Sequence, residues 1–288
     1  MESQDYPILF RAGDATAIRA QKRHFLLVRT RIALLLVTAG IASFSWNQFP
    51  DVRIWAAISS AVFLVASIAL SAVMEMRKFD RLWFSSRAIA ESAKMESWKF
   101  MMNVEPYEGD DAAAEKAFLE RLDELLRSQP SVLPEMVALL KEGAQITEQM
   151  KKMRTASLDD RLAYYVQNRI RDQRRWYATK AAKNHSDESR WSIISWILQI
   201  GAAAIAIVVV GVIDPIIKPV GVLTTAGAGV LSWINARNVR ELSQSYSLIA
   251  QQLTNLEALA TQVSTEGKLG EIALDVERTI SREHTIWL

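Results

Sequence analysis

The run RIRDQRRWYATKAAK (169–183) concentrates residue types that grip phosphate. Arginine forks bond phosphate oxygens in pairs, and an indole face stacks on a base. Arg169, Arg171, Arg174, Arg175, Trp176, Lys180 and Lys183 are therefore candidate ligand residues, joined by Arg19 and Arg23 nearer the start. The same cations admit a second reading, as a topology signal and a contact for anionic lipid, each worth about 1 kcal/mol near a membrane surface. Catalytic chemistry has no comparable cluster. His24, His185 and His284 are scattered, without metal-ligand spacing. His185, Ser186 and Asp187 are chain neighbours, which is not how a catalytic triad assembles. The GxG at Gly227–Gly229 lies in an apolar run and lacks both the third glycine and the preceding strand of a phosphate loop. With 0 cysteines there is no disulfide, thiolate metal site or cysteine nucleophile. The expectation is a protein that binds rather than catalyses, with no cofactor and no metal.

The elements that hold these residues are set by four runs without Asp, Glu, Lys or Arg: Ile32–Pro50, Ile54–Met74, Trp191–Ile213 and Pro219–Ala236. Each approaches the roughly 20 residues that cross a bilayer as a helix, and none shows the polar face of a soluble helix. Two close pairs predict two transmembrane hairpins, with spans at about 32–49, 54–74, 191–213 and 217–235. The fold class is an all-α membrane protein of four spans with long cytoplasmic helices. No cleavable leader is expected, because the first apolar run starts only at Ile32 and no small-residue cleavage site follows. Net charge is only +2, yet the cations crowd the span ends that adjoin the termini and the middle segment. They include Arg23, Arg29 and Arg31 before the first span, Arg77 and Lys78 after the second, Arg190 before the third and Arg237 after the fourth. The positive-inside rule then places both termini and the middle segment in the cytoplasm. Trp46 and Trp55 fall at the outer interface, and Trp191 and Trp233 at the inner one.

The chain repeats itself. Arg77 corresponds to Arg237 and AIAES (88–92) to LIAQQ (248–252), so each half reads as a basic leading helix, a hairpin and a long trailing helix. The expected division is a first unit at 1–105, an acidic helical linker at 106–156 and a second unit at 157–288. Ser157 with Asp160 marks a helix start. Val166, Ile170, Tyr177 and Ala181 line its core face, and Tyr165 and Arg169 a neighbouring one. In the second trailing helix Val239, Leu242, Tyr246, Ile249, Leu253 and Leu256 follow a 3,4 seam. It serves either packing within the chain or an oligomer interface. The spans hold no ionisable residue, which weakens a transporter reading. A pore tolerates that lack. The fourth span, with Gly221, Thr224, Thr225 and Gly229, is the candidate for pore lining or for close small-residue packing. A pore would need a homo-oligomer.

Asp172, Gln173, Trp176 and Tyr177, followed by a hairpin and ending in REHTIWL, resemble the SLATT domain, the SMODS- and SLOG-associating two-transmembrane effector domain. The first half, YPILFRAGDATAIRAQKRHFLLVRTR through WFSSRAIAESAKMESW, is similar to another SLATT subfamily. The two copies cover roughly 5–105 and 157–288. The resemblance implies a bacterial anti-phage effector in the inner membrane, forming an oligomeric pore or ion channel that causes abortive infection. It also implies control by a nucleotide or oligonucleotide from a partner nucleotidyltransferase. The alternative is a non-conducting membrane-anchored scaffold that recruits a cytosolic partner.

Overall fold

The computed structural model describes residues 1–44, 49–141, 143–209 and 219–286. These residues are helical almost throughout, with no strand among them. The long helices are α1 (Ile8–Ser43), α2 (Pro50–Arg77) and α3 (Phe79–Met102). After them come α4 (Asp111–Ser128) and the short α5 (Leu133–Met136), α6 (Glu148–Arg154) and α7 (Leu158–Tyr165). A π-helical turn, Val166–Arg171, joins α7 to α8 (Asp172–Val209). The chain continues as α9 (Val220–Arg237), α10 (Val239–Ala260) and α11 (Glu266–Ile286). Trp46, the tip residues 214–218 and the side chains of REHTIWL lie outside the described residues.

Local chemistry explains the helix boundaries. Asp110, Thr147 and Ser157 cap α4, α6 and α7 by accepting the amide of the residue three positions on, which satisfies an otherwise orphan donor. Ser157 also donates to the Asp160 carboxylate at 2.7 Å. Between α2 and α3 the helix stops at Lys78 in left-handed conformation (φ 44°), and between α9 and α10 at Asn238 (φ 51°). Each follows the arginine, Arg77 or Arg237, that the repeat brings into correspondence. A left-handed residue is how helices commonly end, and asparagine tolerates it better than lysine.

The chain forms two compact units, each drawing segments from both halves. The first comprises Met1–Gln21, Asp80–Ala181 and Gln244–Leu288. Its core is aromatic. Phe100, Tyr107 and Phe118 meet with centroids 5.1–6.0 Å apart, and Trp98, wholly buried, meets Tyr165 at 5.5 Å. Ala114, Phe118 and Leu122 bring one face of acidic α4 onto this core, leaving its carboxylates outside. Near the N-terminal end of α1, Gly13 approaches α3 so closely that a Cβ would sit 3.1 Å from Ala90 Cβ.

The second unit comprises Lys22–Phe79 and Ala182–Ser243. Its outward faces are apolar: Trp55 (68% exposed), Val62 and Val65 on α2, and Trp196, Ile197 and Ile200 on α8. Water makes such exposure unfavourable, whereas hydrocarbon accommodates it. Three helical stretches, Ile8–Ser43, Pro50–Met102 and Leu158–Val208, are long and apolar enough to cross a membrane. The fourth uncharged run forms α9, an 18-residue helix that is not among the three. Its glycines, threonines and Asn235 lower its hydropathy.

Candidate functional site

The residues singled out for ligand binding fall into separate settings, all but Arg23 and Lys183 within the first unit. Arg169 lies in the π-helical turn and is 1% exposed. Its guanidinium grips Glu277, also 1% exposed, through Nε–Oε1 at 2.9 Å and Nη2–Oε2 at 2.5 Å. The Tyr165 hydroxyl donates to the same carboxylate at 2.9 Å. Burial and the Glu277 charge raise the Tyr165 pKa well above its ordinary value, so it stays a donor. Arg169 is thereby closed off from an outside anion, and its place is structural rather than in a ligand patch.

Arg171 and Arg174 share one carboxylate. Glu257 of α10 meets Arg171 Nε at 2.7 Å and Arg174 Nη1 at 2.8 Å. Both arginines line an open groove of about 590 Å³ beside the π-helical turn, with Val166, Gln167 and Thr254. Trp176 is half-buried, its ring 5.4 Å from Tyr246 and 5.6 Å from the Lys180 ammonium. One indole face is therefore occupied from within the chain, which leaves less of it for stacking on a base. Arg175, Lys180 and Lys183 are exposed. Arg19 bonds the Thr16 hydroxyl and the Glu135 carbonyl. Arg23, in the second unit, lies over the Phe79 ring at 5.9 Å. Arg171 and Arg174 are the two candidates that the structure brings together.

Two further buried arginines carry no local signal in the sequence. Arg154 bonds the Phe100 and Gly109 carbonyls and the Asp111 carboxylate. Arg161 bonds the Met102 carbonyl at 2.8 Å and pairs with Glu266. Both satisfy carbonyls at the end of α3, the negative pole of that helix. Lys94 is half-buried, its ammonium 5.5 Å from the Tyr6 ring and 5.8 Å from the Phe10 ring, and burial lowers its pKa.

The seam of α10 is covered by the chain's own residues. Leu253 is 0% exposed, and Val239, Tyr246 and Ile249 are buried, with Leu242 and Leu256 half-buried. Packing within the chain thus accounts for four of the six seam residues, while Leu242 and Leu256 keep part of their surface open.

In the second unit the small residues of α9 divide by face. Gly227 is buried, and a Cβ there would meet Gln199 Cγ of α8 at 3.2 Å. The Gln199 amide donates to Ser195 Oγ at 2.8 Å, and that hydroxyl donates to the Gly227 carbonyl at 3.4 Å. Gly229 faces α1, where a Cβ would stand 3.0 Å from Ile32 Cγ2. Thr225 is half-buried. Gly221 and Thr224 are exposed, and nothing lies within 4 Å of a Cβ at Gly221. Thr224 turns its hydroxyl back to the Val220 carbonyl at 2.7 Å. With Ala228, Ser232 and Asn235 these residues form an exposed face interrupted by Leu231.

Apolar outward faces on spanning-length helices define a multi-pass helical membrane protein. Residues 7–162 match the family described as SMODS and SLOG-associating 2TM effector domain 3, and residues 165–287 match SMODS and SLOG-associating 2TM effector domain 1. The chain belongs to this SLATT family and carries two such domains in tandem, which makes it a membrane effector of the conflict-system type. No curated protein and no solved structure matches it.

Proposed function

We propose that the chain is an oligomeric pore-forming effector, not an enzyme, with four spans whose exposed α9 face lines the conduit. The observation that carries this is a contrast between exposed faces. Those of α2 and α8 are rich in Ile, Val and Trp, suited to lipid, whereas that of α9 is Gly221, Thr224, Ala228, Ser232 and Asn235 with the single large apolar residue Leu231. Small and hydroxyl side chains are poor lipid partners and serviceable pore linings. Gly227 and Gly229 anchor the opposite side of α9 to α8 and α1, which supports a fixed lining helix. On this reading the protein sits in the bacterial inner membrane with both termini cytoplasmic, as the cation distribution favours. Opening stops growth of the infected cell as abortive infection. Control by a nucleotide or oligonucleotide from a partner nucleotidyltransferase draws support from the groove at Arg171 and Arg174, where a phosphate would compete with Glu257 for both guanidiniums.

The chain has 0 cysteines, so single thiols report cleanly. In liposomes, a charged thiosulfonate should block ion flux through Thr224→Cys and leave flux through Ile58→Cys, on the apolar face of α2, unchanged. Absence of flux from correctly inserted protein, with and without nucleotides, supports the non-conducting scaffold instead. Flux that ignores modification of Thr224→Cys removes α9 from the lining.

A further inference from the structure

The second unit gathers two guanidiniums onto one indole. The Arg29 guanidinium of α1 lies 4.8 Å from the centre of the Trp233 ring of α9, and that of Arg237 lies 5.8 Å from it. Phe25 meets the same ring edge-on at 5.5 Å. Arg237 has a counter-ion, Asp187 of α8, at 2.9 Å. Among the described residues no carboxylate lies within ion-pair distance of Arg29, which is exposed. The cluster therefore carries net positive charge, on two helices that approach closely where Gly229 faces Ile32.

The depth of the cluster indicates which anion it would meet. Arg29 stands three residues before the uncharged run that opens at Ile32, and Arg237 directly follows the run that closes at Ala236. Both guanidiniums thus mark the edge of apolar helix, the level at which a bilayer presents its phosphates and at which tryptophan is enriched. A guanidinium over an indole face is held by the ring without using its N–H groups, which stay free for a bidentate bond to phosphate oxygens. We propose that Arg29, Trp233 and Arg237 form a binding site for the phosphodiester of an anionic phospholipid. A zwitterionic headgroup fits less well, because its cation would face two arginines. The inference rests on the bilayer placement of the second unit and not on conduction, so a protein that fails to conduct can still pass its test.

Native mass spectrometry of the full-length protein in detergent, titrated with phosphatidylglycerol, reads the site directly. The expected result is at least one retained phosphatidylglycerol where phosphatidylcholine is lost. Arg29→Gln should weaken that binding tenfold or more. Arg31→Gln, an exposed cation two residues away without an indole, should weaken it by no more than about fivefold, the effect of one generic cation at an anionic surface. Millimolar inorganic phosphate should not displace the lipid. Where Arg29→Gln fails to insert, Arg29→Lys replaces it, with a several-fold loss expected because an ammonium lacks the planar fork. The proposal is overturned if the Arg29 variant binds no more weakly than Arg31→Gln, if phosphate displaces the lipid, or if phosphatidylcholine is retained equally.

Discussion

Replacing Arg169 by methionine tests whether the buried pair holds the first unit together. Arg169 and Glu277 are each 1% exposed, so neither charge is relieved by water. The substitution removes two charge-assisted bonds, at 2.9 and 2.5 Å, and leaves Glu277 with the Tyr165 hydroxyl as its described donor. Breaking a buried pair from one side costs about 3–5 kcal/mol, chiefly because the surviving charge stays desolvated. For a body of this size that is a fall of about 10 °C in the unfolding midpoint. The double variant Arg169→Met, Glu277→Leu leaves no orphan charge and should cost less than either single change. The wild-type pair is itself imperfect, since Arg169 Nη1 is buried without a hydrogen-bond partner among the described residues. That favours tolerance of an apolar replacement. Thermal unfolding in detergent micelles, followed by tryptophan fluorescence, measures all three variants. Single-variant costs below about 1 kcal/mol, or a double variant as costly as the sum of the singles, would refute the reasoning.

Gly227→Leu, whose first added carbon would already stand 3.2 Å from Gln199, should cost about 1–3 kcal/mol by overpacking α8 against α9. Gly221→Leu, at an open position, should leave the melting temperature in micelles unchanged. Alkaline stability follows from Tyr6, Tyr107 and Tyr165, whose pKa values burial raises above the ordinary 10.0. Above pH 10 the unfolded chain releases these protons first and the folded chain keeps them, so stability falls as pH rises, by up to about 1.4 kcal/mol per pH unit for each tyrosine. Lys94, with its lowered pKa, works in the opposite sense up to its ordinary 10.5, so denaturant titrations should steepen once pH exceeds that value. Leu253→Asp places a charge at a position of 0% exposure and should lower stability by several kcal/mol with the subunit number in detergent unchanged. Smaller particles of unaltered stability would assign the seam to an oligomer interface.

What was legible in the sequence was whatever is written locally. A serine before an acidic turn announces a helix start, and Ser157 caps α7. Long uncharged runs announce spanning helices, and the apolar faces of α2 and α8 point outward as lipid requires. Ile170, Tyr177 and Ala181 are buried as their spacing predicts, with Val166 half-buried. The π-helical turn Val166–Arg171 was not legible, because a widened turn leaves the composition unchanged while shifting the phase of everything around it. That shift helps explain why Arg169 is buried among residues expected on a neighbouring face. Its partner is also distant, 108 residues along the chain, so no spacing rule joins the two. An arginine committed to a core carboxylate and one waiting for a ligand look alike until the fold supplies the partner.

The small residues of α9 carry the same lesson to the membrane. Gly221, Thr225 and Gly229 recur every four residues and share one stripe on a helical wheel. That regularity invites a single role, either lining or packing. The neighbours divide it instead. Gly229 has Ile32 against it and Gly227 has Gln199, so at those positions the absence of a side chain is what lets three helices approach. Gly221 has nothing within 4 Å of a Cβ, so its smallness meets no packing need within the chain. Packing thus belongs to one side of the helix, closed by α8 and α1, and leaves the other side open for the lining role proposed above. The Ser195 hydroxyl of α8, which donates to the Gly227 carbonyl, marks the closed side, because turning α9 about its axis would withdraw that acceptor from a hydroxyl held where water is scarce.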